Sequence, residues 1–102
     1  QSPQLLAPAD EATVTVNRPT FSWNAMSWAT HYEVQIIPQG SGTNVDRWVD
    51  ATAICSEGVC TWQVDVNLAD DAYIWQVRGY NASANPTTSP WSAAWDLTVD
   101  VP

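Results

Sequence analysis

Residues 72–81, AYIWQVRGYN, place apolar and polar side chains alternately along the chain. Tyr73, Trp75 and Val77 fall on one parity, and a strand with this pattern buries one face and exposes the other. No segment of the sequence shows a convincing helical period. The stretch therefore predicts a half-buried strand in an all-β protein.

The same alternation recurs about every ten residues, with turn residues between the runs, and its cleanest example is residues 95–101. Seven or eight short strands in a chain of 102 residues are typical of a two-sheet antiparallel β-sandwich. One less regular strand is predicted over residues 47–54. The predicted core takes one inward side chain in two from the strands: Phe21, Trp23, Tyr32, Val34, Ile36, Val64, Tyr73, Trp75, Val77, Leu97 and Val99.

The length of 102 residues indicates a single domain, residues 1–102, in which residues 1–10 form an extended lead-in with a short edge strand at 4–7. Apolar residues make up 45% of the chain, which is typical of a globular protein. The chain starts without a signal peptide, so we expect a mature protein or a part of something longer.

The net charge is −8, with three arginines and no lysine. Nucleic-acid binding needs a basic surface that displaces phosphate counterions, so this class is excluded. The same charge disfavours an anionic membrane surface. No apolar run approaches the roughly 20 residues of a membrane span, so we expect no membrane insertion.

The only two cysteines, Cys55 and Cys60, lie in the run CSEGVC. This spacing is not a redox motif, and no second ligand pair is present for zinc. We predict a disulfide across a short hairpin, with Gly58 supplying a positive φ in the loop. A disulfide implies an oxidising compartment, so we expect an extracellular protein, secreted or held at the cell surface, or a periplasmic one.

Catalytic and metal-binding residues are not expected. The eleven acidic residues are scattered, no nucleophile motif is present, and the single histidine, His31, has no obvious partners. Asp46 with Asp50, or Asp65 with Asp70 and Asp71, offer oxygen ligands for Ca²⁺, but their spacing fits no calcium loop. We therefore predict solvated carboxylates, with no metal and no cofactor.

Seven tryptophans are an unusual number for this length. By parity, Trp23 and Trp75 are core residues, and Trp62 and Trp95 are partly buried. Two further tryptophans are predicted to contact specific neighbours. Trp48 is predicted to lie against the disulfide, since sulfur packs well on aromatic rings. Trp91 is predicted to stack on Arg78 as a cation–π contact.

Four stretches carry a resemblance to a known family: RPTFSWNA (18–25), ATHYEVQI (29–36), AYIWQVRGYNA (72–82) and SPWSAAWDLTV (89–99). They resemble strands B, C, F and G of bacterial fibronectin type III-like or immunoglobulin-like modules of secreted or surface multidomain proteins. Leu68 followed by Tyr73 resembles the family's tyrosine corner, in which the hydroxyl is tied to nearby backbone. The resemblance implies the fold and leaves the function open, because this fold has many functions.

The chain departs from the family pattern at two turn positions, where Glu11 and Trp28 stand in the place of glycines. A tryptophan at a turn tip is expected to be at least half exposed. Trp28 is then either a platform for a ligand or partner, extended by Tyr80 with Gln35 or His31, or a cap folded back over Met26. The candidate contact residues are Trp28, Tyr80, Trp91 and Trp48.

The sequence favours a non-catalytic extracellular module that serves as a spacer, adhesion or assembly unit of a larger protein. Its partners would be neighbouring domains or identical subunits. The alternative is a carbohydrate-binding module attached to a polysaccharide-degrading enzyme, which requires at least two exposed, coplanar aromatic rings. An enzyme is a third hypothesis and requires a cleft with two converging carboxylates.

Overall fold

The computed structural model describes residues 2–102, which form nine strands and one helical turn packed as a two-sheet β-sandwich. The predicted all-β sandwich is therefore confirmed. In chain order the elements are β1 (Leu5–Ala7), β2 (Ala12–Val14), β3 (Thr20–Asn24), β4 (His31–Pro38), β5 (Val45–Asp50), α1 (Ala51–Ile54), β6 (Cys55–Ser56), β7 (Val59–Gln63), β8 (Asp71–Tyr80) and β9 (Trp95–Val99).

The four-stranded sheet has the order β1-β3-β7-β6, and the five-stranded sheet has the order β2-β9-β8-β4-β5. The predicted lead-in contributes β1, which pairs with β3 in the four-stranded sheet, and β2, which follows the lead-in, pairs with β9 in the five-stranded sheet. The edge strand expected at residues 4–7 is confirmed as β1. One detail of the prediction is wrong: β2 and β9 run parallel, whereas the other strand pairs are antiparallel.

All eleven predicted core residues are buried between the two sheets. The rings pack edge to face, with centroids 4.8 Å apart for Phe21 and Trp75 and 5.5 Å apart for Trp23 and Tyr32. Such pairs add stability beyond the area that they bury. Trp62 and Trp95 lie partly buried at the margin of the core, as their parity predicts.

The strand predicted over residues 47–54 is wrong in its second half. The strand β5 ends at Asp50, and α1 follows over Ala51–Ile54. The chain must cross here from the five-stranded sheet to β6 in the four-stranded sheet, and a helical turn makes that crossing. With the two-residue strand β6 counted, the strands number nine rather than seven or eight.

Two local predictions about loops are confirmed. The hydroxyl of Tyr73 donates to the carbonyl oxygen of Ala69 at 2.6 Å, which is the contact expected of a tyrosine corner. The disulfide Cys55–Cys60 joins β6 to β7, and Gly58 has a φ of 84° in the loop between them. The disulfide therefore links the two strands of this hairpin covalently.

The turn before β2 places a non-glycine residue in the left-handed region, since Glu11 has a φ of 67°. Its backbone N–H donates to the carbonyl oxygen of Asp96 at 2.9 Å, and this bond begins the pairing of β2 with β9. The left-handed conformation costs an L-residue roughly 1 kcal/mol, a cost that glycine avoids.

We expect Glu11→Gly to raise the free energy of unfolding by about 0.5–1 kcal/mol, as measured by urea denaturation. The matched control is Glu11→Ala, which removes the same carboxylate but keeps the strained φ. An equal gain in both variants would show that the side chain, and not the backbone conformation, limits stability at this turn.

Candidate functional site

The outer face of the five-stranded sheet carries most of the sequence-predicted contact residues. In the strand register, His31 of β4 lies between Asp50 of β5 and Tyr80 of β8. The next outward residue of β4, Glu33, lies between Trp48 and Arg78. Side chains on this face therefore form two adjacent rows across three strands.

Trp48 and Tyr80 meet on this face beside His31. The rings of Trp48 and Tyr80 have centroids 5.5 Å apart and an interplanar angle of 77°. His31 and Tyr80 have centroids 6.0 Å apart at 66°. These three residues line an open cavity of about 370 Å³, which we call the aromatic notch. The side chain of Trp48 stays 53% exposed.

The prediction that Trp48 packs on the disulfide is wrong. Trp48 points outward from the five-stranded sheet, whereas Cys55 and Cys60 join two strands of the other sheet. The prediction rested on the favourable packing of sulfur on aromatic rings, but β5 and β6 belong to different sheets of the sandwich.

One acidic side chain, that of Asp50, borders the aromatic notch. Asp46 and Asp50 share the outward parity of Trp48 along β5. A carboxylate oxygen of Asp50 lies 3.9 Å from His31 Nε2, and the other ring nitrogen, Nδ1, is 2.9 Å from the hydroxyl of Thr30. The notch thus has an apolar floor and one acidic side chain at its rim.

A stack of three side chains lies beside the notch. The guanidinium of Arg78 donates through Nε to a carboxylate oxygen of Glu33 at 2.7 Å. The ring of Trp91 lies against the same guanidinium, with 4.5 Å from Cζ to the ring centroid. The predicted cation–π contact of Trp91 with Arg78 is therefore confirmed.

Sequence reasoning missed the burial of Glu33, which is only 6% exposed. Its outward parity on β4 suggested a solvated carboxylate. The available signal was the outward parity of Arg78 and of Trp48 on their strands. Only the strand register shows that both residues flank Glu33.

Burial raises the pKa of the Glu33 carboxyl, and the neighbouring Asp46 raises it further, against the lowering effect of Arg78. The folded protein then holds this proton more tightly than the unfolded chain does. The contribution of Glu33 to stability is complete at low pH. It falls as the pH rises from the usual range of a glutamate, about 4.3, through the raised pKa of the folded state.

We expect Glu33→Gln to remove this contribution to the pH dependence. The free energy of unfolding of the variant minus that of the wild type should increase as the pH rises from 4 to 7. Urea denaturation at several pH values measures the difference. The exposed Glu57 provides the control variant Glu57→Gln, and a difference for Glu33→Gln that is flat with pH would contradict the prediction.

Trp28 lies away from the aromatic notch and is only partly exposed, so the expectation of at least half exposure is wrong. Its ring lines a second cavity, of about 290 Å³, with residues 84–86 and 88–90. Its carbonyl oxygen accepts a hydrogen bond from the side-chain amide of Asn81. The loop after β8 therefore shares a cavity with Trp28, and the choice between a platform and the predicted cap over Met26 stays a prediction.

The turn that carries Trp28 is held down on the sandwich. The backbone N–H of Met26 donates to the hydroxyl of Tyr32 at 2.6 Å, and Ala29 N–H donates to the Met26 carbonyl at 3.1 Å. A Cβ built on Gly79 would lie 3.2 Å from Met26 Sδ and 3.3 Å from Ala29 Cβ. The absence of a side chain at Gly79 lets this turn approach β8 closely.

The described residues contain neither a metal-ligand cluster nor a membrane-spanning helix. Within residues 2–102, no three side chains of His, Cys, Asp or Glu are grouped so as to hold a metal ion. No helix in the same range has the length and apolar character needed to cross a membrane.

Of the four predicted contact residues, the structure brings Trp48 and Tyr80 together, places Trp91 on the adjacent Arg78, and puts Trp28 at a different cavity.

No protein-family model matches the chain, and no curated protein is significantly similar to it in sequence.

Proposed function

We propose that this chain is a non-catalytic, fibronectin type III-like module of a larger extracellular protein, and that it serves in adhesion or assembly through the aromatic notch. The observation that carries the proposal is the 53% exposure of Trp48. Tryptophan is a frequent energetic centre of protein interfaces because its large ring loses much water on contact. Most other tryptophans of the chain are engaged in the core or in the stack on Arg78.

The disulfide supports the extracellular part of the proposal. Cys55 and Cys60 are bonded across a hairpin at the edge of the four-stranded sheet. Such bonds persist in oxidising compartments and are rare where thiols are kept reduced. The tyrosine corner at Tyr73 supports the fibronectin type III-like relationship, since sandwich modules of this type share that contact.

The geometry of the notch favours a protein contact over a flat polysaccharide platform. Trp48 and Tyr80 meet at 77°, so the two rings are not coplanar. The carbohydrate alternative retains one supporting observation, the exposed face of Trp48, on which a single sugar ring can stack.

Acrylamide quenching of tryptophan fluorescence, combined with urea denaturation, tests whether Trp48 is a contact residue. We expect a quenchable fraction that is lost in Trp48→Ala and kept in the control Trp28→Ala. Because Trp48 is exposed, its removal should lower the free energy of unfolding by less than about 1 kcal/mol. A loss above about 2 kcal/mol would make Trp48 a structural residue and refute the proposal.

Affinity electrophoresis decides the carbohydrate alternative. The domain is run through gels containing β-glucan, xylan, mannan, alginate or pectin. Retardation in one gel that disappears in Trp48→Ala but not in Trp28→Ala would establish a carbohydrate-binding module. Unchanged mobility in all five gels would leave adhesion to, or assembly with, a protein.

A further inference from the structure

We propose that the aromatic notch binds a basic side chain, lysine or arginine, presented by a protein partner. The inference rests on the proposed function and names the chemical class of the ligand. Three features of the described residues carry it: the corner formed by the two rings, the acidic side chain at the rim, and the engagement of every arginine of the chain elsewhere.

The rings of Trp48 and Tyr80 form two walls of a corner, since their planes meet at 77° with centroids 5.5 Å apart. A cation is attracted to an aromatic face within about 6 Å of its centroid, and tryptophan gives the strongest attraction. A compact ammonium or a planar guanidinium fits against such a corner, and its alkyl stem can lie on the exposed indole.

The rim adds an electrostatic preference for a cation. Asp46 and Asp50 lie two residues before and after Trp48 on the outward face of β5. The carboxylate of Glu33 is paired with Arg78, and Asp46 lies against Glu33, so Asp50 beside His31 supplies the negative charge nearest to a ligand. The nearest nitrogen of His31 is 3.9 Å from Asp50, which is too far for a strong hydrogen bond.

Within residues 2–102, no lysine or arginine is placed to fill the notch. The chain has three arginines and no lysine. Arg18 donates to Asn67, Arg47 pairs with Asp65 at 3.1 Å, and Arg78 pairs with Glu33 at 2.7 Å. A lysine or arginine over Trp48 must therefore come from outside the chain.

The net charge decides between a second copy and a different partner. Two chains with a net charge of −8 repel each other, so a second copy is a poor source of the cation. A basic partner would instead be attracted by the negative charge of this protein while the two molecules approach each other. Trp48 lies on β5, the edge strand of the five-stranded sheet, where a partner can reach it from above and from the side.

Nitrogen-15 NMR titration with synthetic peptides tests the inference. The probe is a blocked octapeptide of alternating lysine and serine, and the comparison peptide replaces every lysine by glutamate. We expect saturable shifts of the Trp48 indole N–H and of the backbone signals of His31, Asp50 and Tyr80, with the lysine peptide alone. Affinity should fall about fivefold or more in Trp48→Ala and about threefold in Asp50→Asn.

The matched controls are Trp28→Ala and Asp100→Asn, which remove an indole and an exposed carboxylate away from the notch. Both should keep the affinity within about twofold of the wild type, since weak charge effects are screened. Each variant is first checked for an unchanged pattern of core amide signals. Asp50→Asn keeps the size of the side chain, so it provides a result even if Trp48→Ala is perturbed.

Several results would overturn the inference. One is a set of small shifts spread over the acidic surface, reduced equally by Asp50→Asn and Asp100→Asn. Another is equal binding of the lysine and glutamate peptides, and a third is binding of a polysaccharide through Trp48 without binding of the lysine peptide. The first two results leave the proposed function standing if quenching and stability show Trp48 to be exposed and dispensable for folding. The third overturns the proposed function as well, in favour of a carbohydrate-binding module, so the two failures are distinguishable.

Discussion

Replacing Arg78 by alanine should lower the free energy of unfolding by about 3 kcal/mol at neutral pH. The side chain of Glu33 is 8% exposed and that of Arg78 is 30% exposed, so the pair is largely removed from water. Without the guanidinium, the Glu33 carboxylate stays buried with no cation beside it. The variant also loses the stacking of Trp91 on the guanidinium.

The control for Arg78→Ala is Arg47→Ala. Arg47 pairs with Asp65 at 3.1 Å, but the two side chains are 37% and 56% exposed, so this pair should contribute only about 0–1 kcal/mol. Because the buried glutamate can take up a proton, the loss in Arg78→Ala should be smaller at pH 4 than at pH 7. The double variant Arg78→Ala with Glu33→Gln should recover part of the loss, since no charge is then left buried.

Urea denaturation followed by tryptophan fluorescence measures all four proteins. If Arg78→Ala and Arg47→Ala cost the same, the pair beneath Trp91 is no stronger than a surface ion pair. If the double variant is as unstable as Arg78→Ala at both pH values, the loss comes from packing of the arginine stem and Trp91, and not from the carboxylate.

The core of this protein could be predicted because it depends on information that is local in the sequence. In an antiparallel sandwich, alternation along each strand decides which side chains face inward, and all eleven predicted core residues are buried. The tyrosine corner was expected from the resemblance of Leu68 and Tyr73 to a family motif, and its hydrogen bond, from Tyr73 to the carbonyl oxygen of Ala69, spans only four positions. The hairpin disulfide spans a sequence separation of 5.

The aromatic notch could not be predicted in full because it depends on the register of three strands. Tyr80 and Trp48 are 32 positions apart in the sequence and meet only because β4 and its neighbours align them beside His31. Alternation correctly placed Tyr80 on the outer face. Alternation along the strand does not show whether Trp48 packs on the disulfide or on Tyr80.

The parity of a residue along a strand predicts on which face of the sheet its side chain lies, but it does not predict which other side chains pack over it. Glu33 points outward, yet it is buried and paired with Arg78, on which Trp91 stacks. Trp28 occupies a turn, yet it shares a cavity with the loop after β8. In both cases the neighbouring group lies 45 or more residues away in the sequence, and neither turn chemistry nor strand period predicts such a contact.

The second large effect is expected where the segment before β9 pairs with β8 through serine side chains. The backbone N–H of Val77 donates to the hydroxyl oxygen of Ser92 at 3.0 Å, and that of Gly79 donates to the hydroxyl oxygen of Ser89 at 2.9 Å. Each serine also donates its own backbone N–H to the carbonyl oxygen of the same β8 residue, at 2.9 Å for Ser92 and 3.0 Å for Ser89. The hydroxyls therefore take the place of strand carbonyl groups.

Alanine at both serines should lower the free energy of unfolding by about 4 kcal/mol, since each substitution leaves a buried amide N–H without an acceptor, at about 1–3 kcal/mol each. Both serines are 6% exposed, so water does not readily replace the lost acceptors. The exposed Ser56 provides the control, and Ser56→Ala should change stability by less than about 0.5 kcal/mol.

Hydrogen exchange locates the effect of the serine substitutions. In Ser92→Ala the amide of Val77 should exchange faster, and in Ser89→Ala the amide of Gly79 should do so, while amides paired between β4 and β5 follow only the change in global stability. A loss below about 1 kcal/mol in the double variant, with unchanged exchange at both amides, would mean that β8 finds other acceptors. The serines of this segment would then act as small side chains that let it approach the sheet, rather than as its hydrogen-bond partners.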